Sequence, residues 1–192
     1  MIHPTTEVRF IDKEKGYGLF ATAPIPKGTI TWARDCLDRE FTPEQFDSLN
    51  PEIREIVLHF SYRNSKGNFI LCWDNARFMN HDNEPNTCIT PYNVELAVRD
   101  IEQGDEVTNH YGMLNIIEPF TLPGPDGITI TPHDLLRYGA EWDKMLQSAI
   151  TRLTQVKQPL ERFMGAPCWQ ELQSISSGKR EMISVTSCHY AG

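Results

Sequence analysis

Three short stretches of the chain hold residue types able to do chemistry. The first, Lys15-Gly16-Tyr17-Gly18-Leu19-Phe20-Ala21, sets two glycines around one aromatic. Glycine lets a bound molecule approach the backbone closely, although a Gly-x-Gly alone reads most simply as a hairpin turn. The stretch lacks the third glycine and following helix of a dinucleotide site. The second, Arg77-Phe78-Met79-Asn80-His81-Asp82-Asn83-Glu84-Pro85-Asn86, gathers Asn, His, Asp and Pro soon after the apolar run at 69–73. Such residues favour turns, where short polar side chains bond their own backbone. A polar turn behind a buried run is a place where binding and catalytic groups concentrate. The third, Gly104-Asp105-Glu106-Val107-Thr108-Asn109-His110-Tyr111-Gly112, ends on a tyrosine between a histidine and a glycine. A phenol of pKa about 10 is mostly protonated at neutral pH, so Tyr111 suits orienting a reacting group better than full base catalysis.

The elements that must position these residues are short. Residues 7–12 alternate and can start a strand. Residues 24–28 form a turn and residues 29–32 the next strand. Thr42-Pro43-Glu44-Gln45 and Asn50-Pro51-Glu52-Ile53 each read as a helix start, with a cap followed by proline at the first helical position. Ile53, Ile56, Val57 and Phe60 then give one apolar face, so residues 42–61 are expected to be a small helical insertion between strands. Lys66-Gly67-Asn68 is a turn, residues 69–73 a buried strand and residues 94–98 an alternating strand. Many short strands joined by turns predict a mainly β domain through residue 112. Residues 121–132, rich in Thr, Pro and Gly, read as a loop or linker. Leu135, Tyr138, Trp142, Met145, Ala149, Leu153 and Val156 then recur at steps of three and four. They predict one amphipathic face about seven turns long, begun at Thr131-Pro132 and ended by Pro159. Residues 160–176 are expected to hold one or two short helices, broken near Gly165 and Pro167, and residues 184–192 to fray. There is no internal repeat.

With 192 residues and 40% apolar content, the chain suits one domain with an appendage, or two small ones. No apolar run approaches the roughly 20 residues of a membrane helix, and residues 1–9 carry no charged-then-apolar leader. A soluble, cytoplasmic protein is the expectation, with export by a signal-less route the alternative. The five cysteines (36, 72, 88, 168 and 188) include no Cys-x-x-Cys pair, which argues against a disulfide framework and for buried or idle thiols. The net charge of −8 lies wholly in residues 1–118, with 11 basic and 19 acidic side chains, whereas residues 119–192 hold seven of each. An acidic face disfavours nucleic acid and favours cationic partners; solubility alone explains it equally well.

The three stretches, in this order, resemble the SET-domain family of protein-lysine methyltransferases over residues 6–118, leaving 119–192 as a C-terminal linker and helical extension. The resemblance implies a β-rich fold in which the Asn-His and Tyr segments cross in a pseudoknot-like arrangement. S-adenosylmethionine would bind on one face, and the substrate lysine would enter a narrow channel from the other. The backbone of Gly16, Tyr17 and Gly18 would hold the methionine end of the cofactor. The Asn80 side chain and the His81 backbone would contact its amino group and adenine, and Arg77 is a further cofactor-binding candidate. Tyr111 matches the active-site tyrosine and would also border the cofactor, and Phe120 is a candidate for stacking on adenine. Tyr17, Tyr62, Trp73 and Tyr92 are candidates for walling the lysine channel, with core packing the alternative for each. The methyl donor is already activated, so positioning should do most of the work. The amine must lose its proton first, and a dry channel beside a cationic cofactor lowers its pKa.

The chain departs from the family pattern at informative places. Asp82 and Asn83 stand where Ser and Cys are frequent, and no cysteine cluster follows Tyr111. Both losses predict no zinc, with residues 121–156 closing the site in the zinc module's place. His110 replaces a usual Asp. Asn109 replaces a Phe or Tyr at the position that governs how many methyl groups are added; its small polar side chain predicts tolerance of di- or trimethylation. The His81 ring is expected to be structural, bonded to backbone. The expected function is therefore S-adenosylmethionine-dependent methylation of lysine in a basic protein or peptide, by a monomer or dimer. The alternatives are a catalytically silent module that reads lysine-rich peptides, or a methyltransferase for a non-lysine or small-amine target.

Overall fold

The computed structural model describes residues 1–122 and 127–192; residues 123–126, part of the expected linker, lie outside it. In chain order the described elements are β1 (Thr6–Asp12), β2 (Gly16–Ala21), β3 (Ile30–Ala33), β4 (Arg39–Phe41), α1 (Pro43–Asp47), α2 (Pro51–Phe60), β5 (Ser61–Arg63) and β6 (Phe69–Leu71). They continue with β7 (Asn80–His81), β8 (Thr87–Ile89), β9 (Val94–Ala97), β10 (Thr108–Asn109), β11 (Phe120–Thr121), β12 (Thr129–Ile130), α3 (Asp134–Ile150) and α4 (Ala166–Ser176). The strands form small sheets: the hairpin β1–β2, a sheet in the order β3–β9–β8, another in the order β4–β6–β5, the parallel pair β7–β10, and the antiparallel pair β11–β12. The fold is thus mainly short strands, as expected, with a helical insertion and a helical C-terminal part.

The insertion follows its local signals. Thr42 caps α1 in a reciprocal box with Gln45, and the Asn50 side chain caps α2 by accepting from the Ile53 amide. Its packing differs from the expectation. Only Val57 of α2 is buried, with Phe41, Phe46 and Phe69, while Ile53 and Ile56 are 41% and 49% exposed. The helix meets that small aromatic cluster along one line only, so the rest of its apolar face stays in solvent. Strand β6 also ends earlier than its apolar run. Its neighbours β4 and β5 offer three rungs each, to Leu71. Beyond the last rung Trp73 turns outward, and its indole N–H donates to Asp35 Oδ2 at 3.1 Å.

The largest apolar cluster joins Ile30, Leu96 and Met113 to Leu135, Trp142 and Leu146 of α3, Leu172 of α4 and Val185 beyond it. Each fully buried leucine contributes about 1.5–3 kcal/mol. The C-terminal helices therefore supply one side of the same core as sheet β3–β9–β8. Helix α3 runs 17 residues, short of the expected seven turns. Gln158 explains the stop: its amide N–H groups donate to the carbonyls of Gly28 and Leu153, and its Oε1 accepts from the Ile30 amide. These bonds tie the chain to the turn before β3, so Leu153 stays buried in a 3₁₀ turn rather than in a continued helix. Pro167 does not break a helix but sits in the first turn of α4, where its missing N–H costs nothing.

Two further expectations are corrected. The expected loop at 121–132 contributes to an antiparallel strand pair, β11–β12, with Phe120 opposite Ile130 and Thr121 opposite Thr129. The end of the chain is docked rather than frayed. Val185 is fully buried, and the Asp143 carboxylate accepts from both the Ser184 hydroxyl and the Val185 amide. Gly139 permits this approach, since a Cβ there would lie 2.3 Å from Thr186 Cγ2. Periodicity could not show this docking, because hydrogen bonds to particular side chains hold the segment. Among the described residues no helix is long and apolar enough to cross a membrane.

Candidate active site

The second and third motifs meet in the parallel pair β7–β10, which sets Asn80 beside Thr108 and His81 beside Asn109. Two residues per strand make a weak ladder, and Asn86 extends it. Its amide, a copy of a peptide group, donates to Glu106 O at 2.8 Å and accepts from the Thr108 amide at 2.9 Å. The first motif joins through Asn80, whose Nδ2 donates to Tyr17 O at 3.0 Å and to Glu106 Oε1 at 2.7 Å. Gly18 is needed for that junction: a Cβ there would lie 2.5 Å from Glu106 Oε1 and 3.0 Å from Asn80 Nδ2. Gly16, at φ +74°, has open space where its Cβ would be. The two glycines thus differ, one admitting protein atoms and the other leaving the surface clear.

Tyr111 follows in a 3₁₀ turn entered through His110, whose Nδ1 accepts from the Gly112 amide at 3.0 Å. The His81 ring is bonded to backbone, its Nδ1 accepting from the Tyr111 amide at 3.2 Å. That acceptor role leaves the proton on Nε2, 2.9 Å from Asn83 Oδ1. Burial pushes both histidines toward the neutral form, His110 down to about 4. The Tyr111 hydroxyl donates to Met79 O at 3.3 Å. Burial, then the nearby Glu106 carboxylate, push its pKa up to about 12, so it is a proton donor at neutral pH.

A cavity of about 890 Å³ opens over this junction, within the size range of small-molecule sites. It brings together Gly16, Tyr17, Arg77, Asn80, His81, Tyr111 and Phe120, and it also reaches Tyr62 and Asn109. Gly18 lies beneath it and lines neither this cavity nor the next. Phe120 stands 6.3 Å from Tyr111, ring centre to ring centre. A second cavity of about 350 Å³ is lined by Ile89, Asn93, Ile183 and Ser187. Trp32, Tyr62, Arg63 and Glu95 line both cavities.

Two proposed channel residues fall elsewhere. Trp73 lines neither cavity because it lies on the surface beyond β6. Tyr92 is packed in the main core, its hydroxyl accepting from the Ile183 amide. In their place stand two residues that the sequence reading passed over. Trp32 packs edge-on to Tyr62 at 5.9 Å, and Glu95 is 8% exposed. In sequence, residues 94–98 read only as an alternating strand, and all four residues of β9 are buried. The available signal was a lone carboxylate within an otherwise apolar strand. Among the described residues no three His, Cys, Asp or Glu side chains gather as a metal site.

The SET domain family model matches residues 16–112. No curated protein matches the chain. Among solved structures, the crystal structure of a candidate histone methyltransferase from Plasmodium falciparum is similar at 19% identity and a TM-score of 0.42, covering 57% of this chain and 95% of that one. That likeness is too distant to bear on function. The family match does not depend on it: it runs from the first glycine of the first motif to the glycine behind Tyr111, half of the chain, and the protein belongs to the SET-domain family.

Proposed function

We propose that the protein is an S-adenosylmethionine-dependent methyltransferase that acts on the side-chain amine of lysine in a basic protein or peptide. The observation that carries this reading is the pair of cavities sharing Trp32, Tyr62, Arg63 and Glu95, with Tyr111 on the larger one. Such an arrangement gives two reactants adjoining spaces that meet at these four side chains, of which Trp32 and Glu95 are buried. The larger cavity fits the cofactor. Asn80 uses both its contacts on Tyr17 and Glu106 through Nδ2, which leaves Oδ1 to accept from an amino group. The Arg77 guanidinium lies over Phe60 and Phe78, in none of the ion pairs among the described residues, and can take a carboxylate. Phe120, 38% exposed, offers a ring for stacking. When bound, the cofactor supplies a methyl group already activated on a sulfonium.

The chain's own residues then position and exclude. The Tyr111 hydroxyl stays protonated and orients neighbouring groups; it is no base. Trp32 and Tyr62 wall the approach of an amine and keep water out. Asn109 is small for its position, so products beyond the monomethyl form are expected. The acidic excess of residues 1–118 favours basic substrate segments. The test is calorimetry of S-adenosylmethionine with the wild type and Asn80→Ala. Binding tenfold weaker in the variant, about 1.4 kcal/mol, is expected. Labelled product hydrolysed to amino acids should then yield methylated lysines, with mass spectra giving their methyl count. No binding, with or without a lysine-rich peptide, would overturn the reading.

A further inference from the structure

Where the two cavities meet, Glu95 is a buried carboxyl group without a cation. It appears in none of the ion pairs among the described residues. Its Oε2 lies 3.2 Å from the Thr87 hydroxyl of β8, and its Oε1 lies 3.4 Å from Asn109 Nδ2 of β10. Both contacts are poor. The single Thr87 proton is also within 3.0 Å of Thr108 O, and 3.4 Å is long for an amide donor. The other titratable groups around Glu95 are Tyr62 of β5, Cys72 beyond β6 and Cys88 of β8, none of them cationic. Arg63 lines the same space but donates through Nε to Asn115 O and lies over the Tyr190 ring. Burial pushes the carboxyl pKa up to about 7.

Asn109 supplies a second, independent observation. It is 4% exposed, and its Oδ1 is buried without any hydrogen-bond partner. Flipping the amide would set that oxygen against Glu95, where it finds a donor only while the carboxyl is protonated and is repelled once it ionises. Two neighbouring side chains with oxygen acceptors on the larger cavity, one oxygen orphaned and one able to carry charge, are complementary to a donor with several N–H groups and a positive charge. The aromatic faces of Trp32 and Tyr62 beside them suit the same guest.

We propose that Glu95 and Asn109 form the seat of the substrate amine, with the Glu95 carboxylate binding the ammonium and taking one of its protons before methyl transfer. The proposal rests on the methyltransferase reading. One N–H bond of the ammonium breaks and one O–H bond forms on Glu95, so the electron pair stays on nitrogen. That lone pair forms the new bond to the methyl carbon, whose bond to sulfur breaks with its pair left on sulfur. Nitrogen regains the positive charge and sulfur loses it. The proton on Glu95 passes to water through the smaller cavity when the product leaves. Asn109 Oδ1 accepts from a remaining N–H and holds the lone pair in line.

Two experiments test this. The first measures methyl transfer to poly-L-lysine by the wild type and Glu95→Gln from pH 6.5 to 10, with S-adenosylmethionine affinity measured for both. Glu95→Gln is expected to bind the cofactor within twofold of the wild type. It should transfer at least tenfold more slowly at pH 7, with the gap closing toward pH 10 as the amine loses its proton unaided. Equal rates at pH 7, or a gap unchanged with pH, would overturn the proposal. The second needs neither transfer nor a folded variant: binding of n-butylammonium and n-butanol to the wild type is followed by NMR at pH 7. The ammonium alone should bind. Failure of n-butylammonium to bind, or equal binding of the alcohol, sinks the amine seat. Selective binding of n-butylammonium without any methyl transfer sustains the seat and removes the methyltransferase reading instead.

Discussion

The Tyr111 hydroxyl is held by one contact, to a backbone carbonyl, in a setting that keeps it protonated. Tyr111→Phe removes that orienting group and little else. Cofactor affinity should remain within twofold, while the rate of transfer to a lysine peptide should fall about 10²-fold, the scale of a small misplacement of reacting groups; an unchanged rate would show that the hydroxyl only packs. The buried titratable groups also set how stability depends on pH. His3 and His110 both fall to about 4 in the fold, from 6.5. The unfolded chain therefore binds more protons between those values, and stability is lost as pH drops from 6.5 toward 4. Glu95 acts oppositely. Its pKa rises from 4.5 to about 7, so its contribution is intact below pH 4.5 and lost as pH rises through 7. Glu95→Gln should thus match the wild-type melting temperature near pH 4.5 and exceed it at pH 8. A difference that does not change with pH, by calorimetry, would mean that the carboxyl is not buried as charged or neutral alternatives require.

Among the elements, the least regular ones fix the site. Asn115 sits at φ +51° and is 3% exposed. Its Nδ2 donates to the carbonyls of Arg63 and Cys188, and its Oδ1 accepts from the Tyr190 amide. One side chain therefore joins the end of β5, the turn after Tyr111 and the docked chain end. Asn115→Ala leaves buried backbone groups unpaired and strains a conformation that asparagine tolerates better than alanine. A loss of about 2–4 kcal/mol in urea unfolding is expected; a loss under about 1 kcal/mol would mean that water replaces these bonds. Such a residue was not legible in the sequence, whereas the caps of α1 and α2 and the glycine hairpin were; the pairing of Asn80-His81 with Thr108-Asn109 was expected only through the family resemblance. Caps and turns are written in neighbouring residues. What failed depended on distant partners: the end of α3 on Gln158 reaching Gly28, the outward turn of Trp73 on the short ladders of β4 and β5, and the docking of Val185 on Asp143. Six of the seven residues around the larger cavity lie in the three contiguous motifs that carry the family resemblance, and Phe120 follows the last of them by eight residues. Glu95 and Trp32 were not legible, because burial on both faces of a sheet erases the alternation that would reveal them.

At the scale of the whole molecule, the sheet that carries Glu95 is also the sheet that packs on α3. Ile30 and Leu96 face Trp142, Leu146 and Ala149 in one cluster, with Leu172 and Val185 behind. Asp134, at the start of α3, is 2% exposed and caps the turn before it through Thr131. A Cβ on Gly112, just after Tyr111, would lie 2.5 Å from the Asp134 side chain, so the helix abuts the tyrosine turn itself. Residues 119–192 therefore do two jobs that sequence similarity to a SET domain over residues 16–112 leaves open: they complete the core and they brace the site. If so, a chain ending at Glu118 has lost the partners of Ile30, Leu96 and Met113, and each such leucine or isoleucine left in water forfeits about 1.5–3 kcal/mol against a typical total of only about 5–15 kcal/mol. That fragment should show collapsed amide dispersion in its NMR spectrum and no cofactor binding. A dispersed spectrum with binding intact would demonstrate instead that residues 1–118 fold alone, and that the helices are an accessory to a self-sufficient site.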